Sequence, residues 1–113
     1  MIETVILNYL NSISGLPPVK MEVPKDPPAY YYILQKTGSS FDNRIYHSTF
    51  AVQSYAPSLY EAAEANEVIK DLMMNGLIEE GEIAKVSLNS DYDYTDTATK
   101  RYRYQAVFDI VHY

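Results

Sequence analysis

Arg44-Ile45-Tyr46-His47-Ser48-Thr49-Phe50-Ala51-Val52-Gln53-Ser54-Tyr55 sets Tyr46, Ser48, Phe50, Val52 and Ser54 at one parity and Ile45, His47, Thr49, Ala51, Gln53 and Tyr55 at the other. Successive strand side chains point to opposite faces, so this stretch reads as a strand with two chemically distinct sides. Upstream, Tyr30-Tyr31-Tyr32-Ile33-Leu34 is aromatic and branched without helical spacing, the composition of a strand running from about Tyr30 to Thr37. The two strands are expected to pair as a hairpin across a Thr37 to Asn43 loop that contains Gly38-Ser39-Ser40.

The period changes immediately downstream. Ser58-Leu59-Tyr60-Glu61 matches a capping box, in which serine and glutamate each satisfy an unpaired backbone N–H. Ala62, Ala65, Ile69, Leu72 and Met73 then make one helical stripe with charged residues opposite, as far as Asn75-Gly76, a C-capping pair. A first helix is expected from Ile2 to near Ser14, because Ile2, Val5, Ile6, Tyr9, Leu10 and Ile13 share one stripe and Gly15, Pro17 and Pro18 follow. Val19 to Val23 is a short strand candidate before the stiff turn Pro24-Lys25-Asp26-Pro27-Pro28. Ile83 to Leu88 and Tyr102 to Tyr113 alternate as the last two strands, around a long polar loop from Asn89 to Lys100. The order α-β-β-β-α-β-β predicts an α+β fold, a mostly antiparallel sheet of about five strands with two helices packed against it. At 113 residues, residues 1–113 are expected to form one domain.

Composition narrows the function. Nine Lys and Arg against 15 Asp and Glu give a net charge of -6, which disfavours non-specific grip on phosphates. The absence of cysteine removes disulfides, thiolate nucleophiles and Cys-containing zinc sites. No apolar run reaches the roughly 18 residues that span a bilayer, and the N-terminus lacks the basic start of a signal peptide, so a soluble intracellular protein without membrane partners is expected.

Motifs that carry chemistry are sparse. Asp91, Asp93 and Thr95 alternate as in a calcium loop, but Asp96 stands where that loop needs glycine and Tyr102 where it needs glutamate. His47 and His112 have no neighbour at metal or triad spacing, and the four isolated glycines build no phosphate cradle. No catalytic residue, metal or cofactor is therefore expected. Lys100-Arg101-Tyr102-Arg103-Tyr104 interleaves cations with aromatics, but strand geometry separates Arg101 and Arg103 from Tyr102 and Tyr104. That pattern reads as a cationic face opposite a buried tyrosine face. The 12 tyrosines are the unusual feature, and Tyr30-Tyr31-Tyr32 must send a ring to each side of its strand. If helices cover one side, a partner subunit is a natural cover for the other, since tyrosine buries area while keeping a polar handle.

The apolar N-terminal helix, Met21-Glu22-Val23-Pro24, the run Thr49 to Ala56 feeding Ser58-Leu59-Tyr60-Glu61-Ala62-Ala63, and the ending Lys100 to Tyr113 together resemble a known group. The chain is similar over nearly its whole length to small head-tail joining, tail completion or tail terminator proteins of tailed phages and prophages of Gram-positive bacteria. The resemblance implies a tail-terminator-like virion subunit without catalysis. It implies a hexameric ring at the head-proximal end of a non-contractile tail, with the tail tube protein and head connector proteins as partners. It also implies assembly in the host cytoplasm and residence in the virion tail or neck. DNA would pass through such a ring without sequence-specific binding, which an acidic subunit suits. Interface candidates are Tyr92 and Tyr94 as anchors, Asp91, Asp93, Arg101 and Arg103 as intersubunit ion pairs, and Tyr30 and Tyr32 as face-covering rings. The alternatives are a neck or minor capsid component on the head side, and a small cellular ligand-binding domain or enzyme with a pocket between helix and sheet.

Overall fold

A computed structural model describes residues 1–113. Helix α1 (Ile2–Asn11) is followed by strands β1 (Val19–Lys20), β2 (Tyr31–Asp42) and β3 (Ile45–Ala56), helix α2 (Leu59–Asn75), a 3-10 turn (Leu77–Glu79), and strands β4 (Ile83–Asp93) and β5 (Tyr102–His112). The five strands form one mixed sheet in the order β1-β2-β3-β5-β4. Only β1 with β2 is parallel; β2 with β3, β3 with β5 and β4 with β5 are antiparallel. This is the expected α+β fold.

Both helices lie against one side of the sheet. Ile2, Ile6 and Leu10 of α1 join Ile69 and Met73 of α2 in a cluster with Tyr32, Leu34, Phe50, Val52, Ala106, Phe108 and Ile110 of the central strands. Phe50 and Phe108 are directly opposite each other across β3 and β5 and fully buried. The predicted parity of β3 therefore holds: the side bearing Phe50 and Val52 meets the helices. Asn66 is the one polar member of the buried stripe of α2; its amide nitrogen donates to Asp91 at 3.0 Å.

Local chemistry differs from expectation at several places. α1 stops at Asn11, because the Asn11 side chain leaves the helix and holds both backbone groups of Val19 at 3.1 Å. Gly15, at φ +83°, then takes the left-handed turn that glycine tolerates. At the start of α2 the Ser58 hydroxyl accepts from the Glu61 N–H at 3.2 Å, as a cap should. The Glu61 carboxylate does not return to the backbone; it accepts from the Ser58 hydroxyl at 2.9 Å and the Tyr30 hydroxyl at 2.6 Å. Gly76 has φ −117°, an ordinary value. Glycine is needed there because a Cβ would collide with the Tyr9 hydroxyl, which donates to the Leu72 carbonyl at 2.9 Å and ties α1 to α2.

Three expected segments change length. Strand β1 ends at Lys20 and not Val23, and the Thr37 to Asn43 loop is mostly strand, since β2 continues to Asp42. The turn shrinks to Asn43 and Arg44, at φ 50° and 65°, the all-positive geometry that suits a two-residue hairpin. The Asn89 to Lys100 loop is likewise mostly hairpin. β4 runs to Asp93, and an Asp96–Arg101 bridge closes the four residues Thr97 to Lys100.

Two irregularities in β4, between Ile83 and Lys85 and between Leu88 and Ser90, reset which side each residue faces. The first brings Ile83 onto the helix side with Val86 and Leu88, whereas strict alternation would separate them. The second pairs Asp91 with Ala106 and Tyr92 with Gln105. It therefore turns Asp91 under α2 and Tyr92 to the opposite side. No helix of the chain is long and apolar enough to cross a membrane.

Candidate functional site

The side of the sheet away from the helices carries the odd-numbered residues of β3 and β5, and no helix packs on it. Tyr31 of β2 stacks on Tyr55 of β3, with ring centroids 4.4 Å apart and planes within 9°. Arg103 of β5 donates to the Tyr55 hydroxyl at 2.8 Å and to the Tyr94 carbonyl at 2.6 Å, and its guanidinium sits 4.5 Å from the centre of the Tyr94 ring. The Tyr55 hydroxyl donates to Gln53 at 3.1 Å, the Gln53 amide to Gln105 at 2.9 Å, and the Gln105 amide to the Tyr92 hydroxyl at 2.6 Å.

One polarised relay thus crosses β3, β5 and β4 from a cation to an exposed phenol. Each amide has its orientation fixed by the next partner, so the donors and acceptors stand in place before any ligand arrives. A second cluster lies further along the same side, where Asp109 accepts from Thr49 at 3.0 Å and from Asn89 at 3.1 Å. The arrangement has aromatic area, oriented amides and a fixed guanidinium, the chemistry of a protein-binding surface.

The predicted interface residues divide into groups. Tyr92 and Tyr94 are exposed on the open side, edge to face at 5.9 Å. Arg103 belongs to the same network, already engaged inside the chain. Arg101 is exposed at the hairpin tip. Asp91 lies on the helix side, where it accepts from Lys70 at 2.9 Å and from Asn66; intrachain partners occupy it. Asp93 accepts from the backbone and hydroxyl of Thr95 at 2.9 and 2.6 Å, which holds its carboxyl below the usual range. Tyr30 is exposed, and its bond to Glu61 raises its own pKa and lowers that of Glu61. Tyr32 corrects an expectation. Only 2% of it is exposed, its hydroxyl donates to the Ala65 carbonyl at 3.1 Å, and burial pushes its pKa up to about 12, so it is a core residue.

The sequence reading passed over Tyr55, Gln53 and Gln105. The signal for Tyr55 and Gln53 lies in the parity of Arg44 to Tyr55, where both share the side opposite Phe50, and Gln105 sits among the polar residues that alternate through Tyr102 to Tyr113. Which side the helices would choose could not be read from one strand.

At the far end of the sheet His112 is buried, stacked on Tyr46 at 5.3 Å, with its Nε2 2.8 Å from the Ser48 hydroxyl. Ser48 is also buried, and His112 lines a cavity of about 290 Å³ with Glu3, Lys36, Tyr46 and Glu82. Burial pushes the His112 pKa down, partly offset by the Tyr113 backbone, with Lys36 lowering it further and Glu82 and Glu3 raising it a little. The unfolded chain then binds the proton more tightly, so stability falls as pH drops below the unfolded value of about 6.5. Urea midpoints measured between about pH 7.5 and 5.5 should show this slope, and His112→Gln should flatten it.

No protein-family model matches the chain, and no curated protein matches it.

Proposed function

We propose that this chain is a structural subunit of a tailed-phage or prophage virion, of the tail-terminator or tail-completion kind. It would end growth of the tail tube and join the tail to the head connector by assembling as a ring. The observation that carries this reading is the side of the sheet without helices, where a hydrogen-bonded row held by Arg103 runs from buried Tyr55 and Gln53 through half-buried Gln105 to the exposed ring of Tyr92. The sequence resemblance supplies the biological setting. A head-side position, as neck or minor capsid component, would use the same surfaces; capture of portal-side components in place of tail tube distinguishes it.

The test is solution mass by light scattering over a concentration series, with and without tail tube protein, and negative-stain imaging of what elutes. A ring of about six subunits is expected. Replacing Tyr92 and Tyr94 together by Ala should shift assembly to at least about tenfold higher concentration, with an unchanged far-UV circular dichroism spectrum. A wild-type chain that is monomeric throughout and ignores the tail tube would overturn the reading.

A further inference from the structure

The molecule carries an unfilled groove on its helix side and a projecting arm at the tip of its last hairpin. The groove, about 460 Å³, lies between the turn after α1 and the outer side of α2. Ile13, Leu16, Val68 and Leu72 give it apolar walls, and Glu61 and Glu64 stand at its rim. Val68 is 48% exposed, so this apolar surface is uncovered in the single chain. Glu64 is exposed and has no ion-pair partner.

The arm is the tip of the β4–β5 hairpin. Thr97-Ala98-Thr99-Lys100-Arg101 contains two cations and no carboxylate, and all five residues are exposed. Neither Lys100 nor Arg101 is paired with a carboxylate of its own chain. The nearest acids in sequence are already used: Asp96 accepts from Thr99 and from the backbone of Ala98, and Asp93 from Thr95. The Asp96–Arg101 bridge and the Tyr94–Arg103 backbone bond hold the tip as a two-stranded extension past Ala56, the last residue of β3.

Placement joins the two features. The groove lies on the helix side, between the turn after α1, Tyr30 and α2, and the arm extends from β4 and β5, with the Arg101 charge near enough to act on the Tyr31 phenol. Groove and arm are two different surfaces, as a head-to-tail contact requires of each subunit. We propose that the Thr97 to Arg101 tip of one copy seats in the Ile13 to Leu72 groove of the next copy, with Arg101 and Lys100 against Glu64. The apolar walls would receive Ala98 and the threonine methyl groups, while the charge pairs fix register. The inference rests on the ring reading above, and names the contact that closes the ring.

Light scattering on four proteins tests it: wild type, Glu64→Arg, Arg101→Glu and the double variant that exchanges the charges. Both positions are exposed, so the monomer should keep its circular dichroism spectrum and urea midpoint. Each single change should raise the concentration for half-assembly about tenfold or more, and the double variant should recover to within about threefold of wild type. Nile red, a neutral apolar dye, gives a second readout. Its fluorescence should be enhanced by the monomer and lost as rings form. Rings that form equally well from both single variants, or a double variant as weak as the product of the singles, overturn this contact while leaving the ring reading intact. Dye that stays bound in assembled rings also overturns it, because the groove is then open to small ligands. A wild-type chain that never assembles overturns both.

Discussion

Phe108→Ala lowers the stability of the fold by about 3–5 kcal/mol, the cost of removing a buried aromatic ring and leaving part of its volume empty. Phe108 is fully buried on β5, directly opposite Phe50 of β3 and Leu88 of β4. It lies in the cluster that also holds Ile69 and Met73 of α2 and Ile6 and Leu10 of α1. Collapse into the cavity is restricted because strands flank it on both sides and the facing side chains are themselves held in the sheet. For a small domain with a total stability of about 5–15 kcal/mol this is a large share, and a fall in Tm on the order of 10–20 °C should accompany it. Urea titration of Phe108→Ala beside Phe108→Leu checks the mechanism: the leucine variant, which refills most of the volume, should lose less than half as much. Equal losses would point to something other than the cavity.

The route from sequence to this core is uneven along the chain. Alternation in Arg44 to Tyr55 separated the two sides of the strand without saying which the helices cover, and the helical spacing of Ala62, Ile69 and Met73 identified the layer that packs on the sheet. Both signals are local periods, and burial enforces them. The strand ends were harder. Gly38 and the serines after it look like a loop, yet they are ladder residues, because β3 opposite them is long enough to pair and one irregularity leaves Thr37 as the extra residue while Gly38 pairs with Thr49. The backbone irregularities of β4 leave no mark in composition, and they decide that Asp91 goes to α2 and Tyr92 to the open side. Hence the same four residues Asp91 to Tyr94, all assigned to one loop interface, divide between an intrachain ion pair, a local turn and an exposed aromatic pair. Asn66 was unreadable for a related reason: a buried asparagine makes sense only once its partner, Asp91, is seen across the fold.

On the open side, the largest effect is expected at Tyr55. Tyr55→Ala should cost about 3–5 kcal/mol even though no helix covers that side, because only 4% of the residue is exposed and its ring carries the stack with Tyr31. Tyr55→Phe separates packing from polarity. It keeps the ring, so folding should weaken by only about 1 kcal/mol, but it removes the acceptor for Arg103 and the donor for Gln53. Gln53 and Gln105 can then reorient, and the Tyr92 hydroxyl is no longer held at the end of a fixed row. If that row serves a partner, assembly of Tyr55→Phe should fall by more than its small loss of stability accounts for, and light scattering at matched folded fraction measures the difference. If assembly only tracks stability, the row serves to satisfy an exposed sheet surface by itself, and the docking chemistry lies elsewhere on the hairpin, at the exposed rings of Tyr92 and Tyr94 or at the charged tip beyond them.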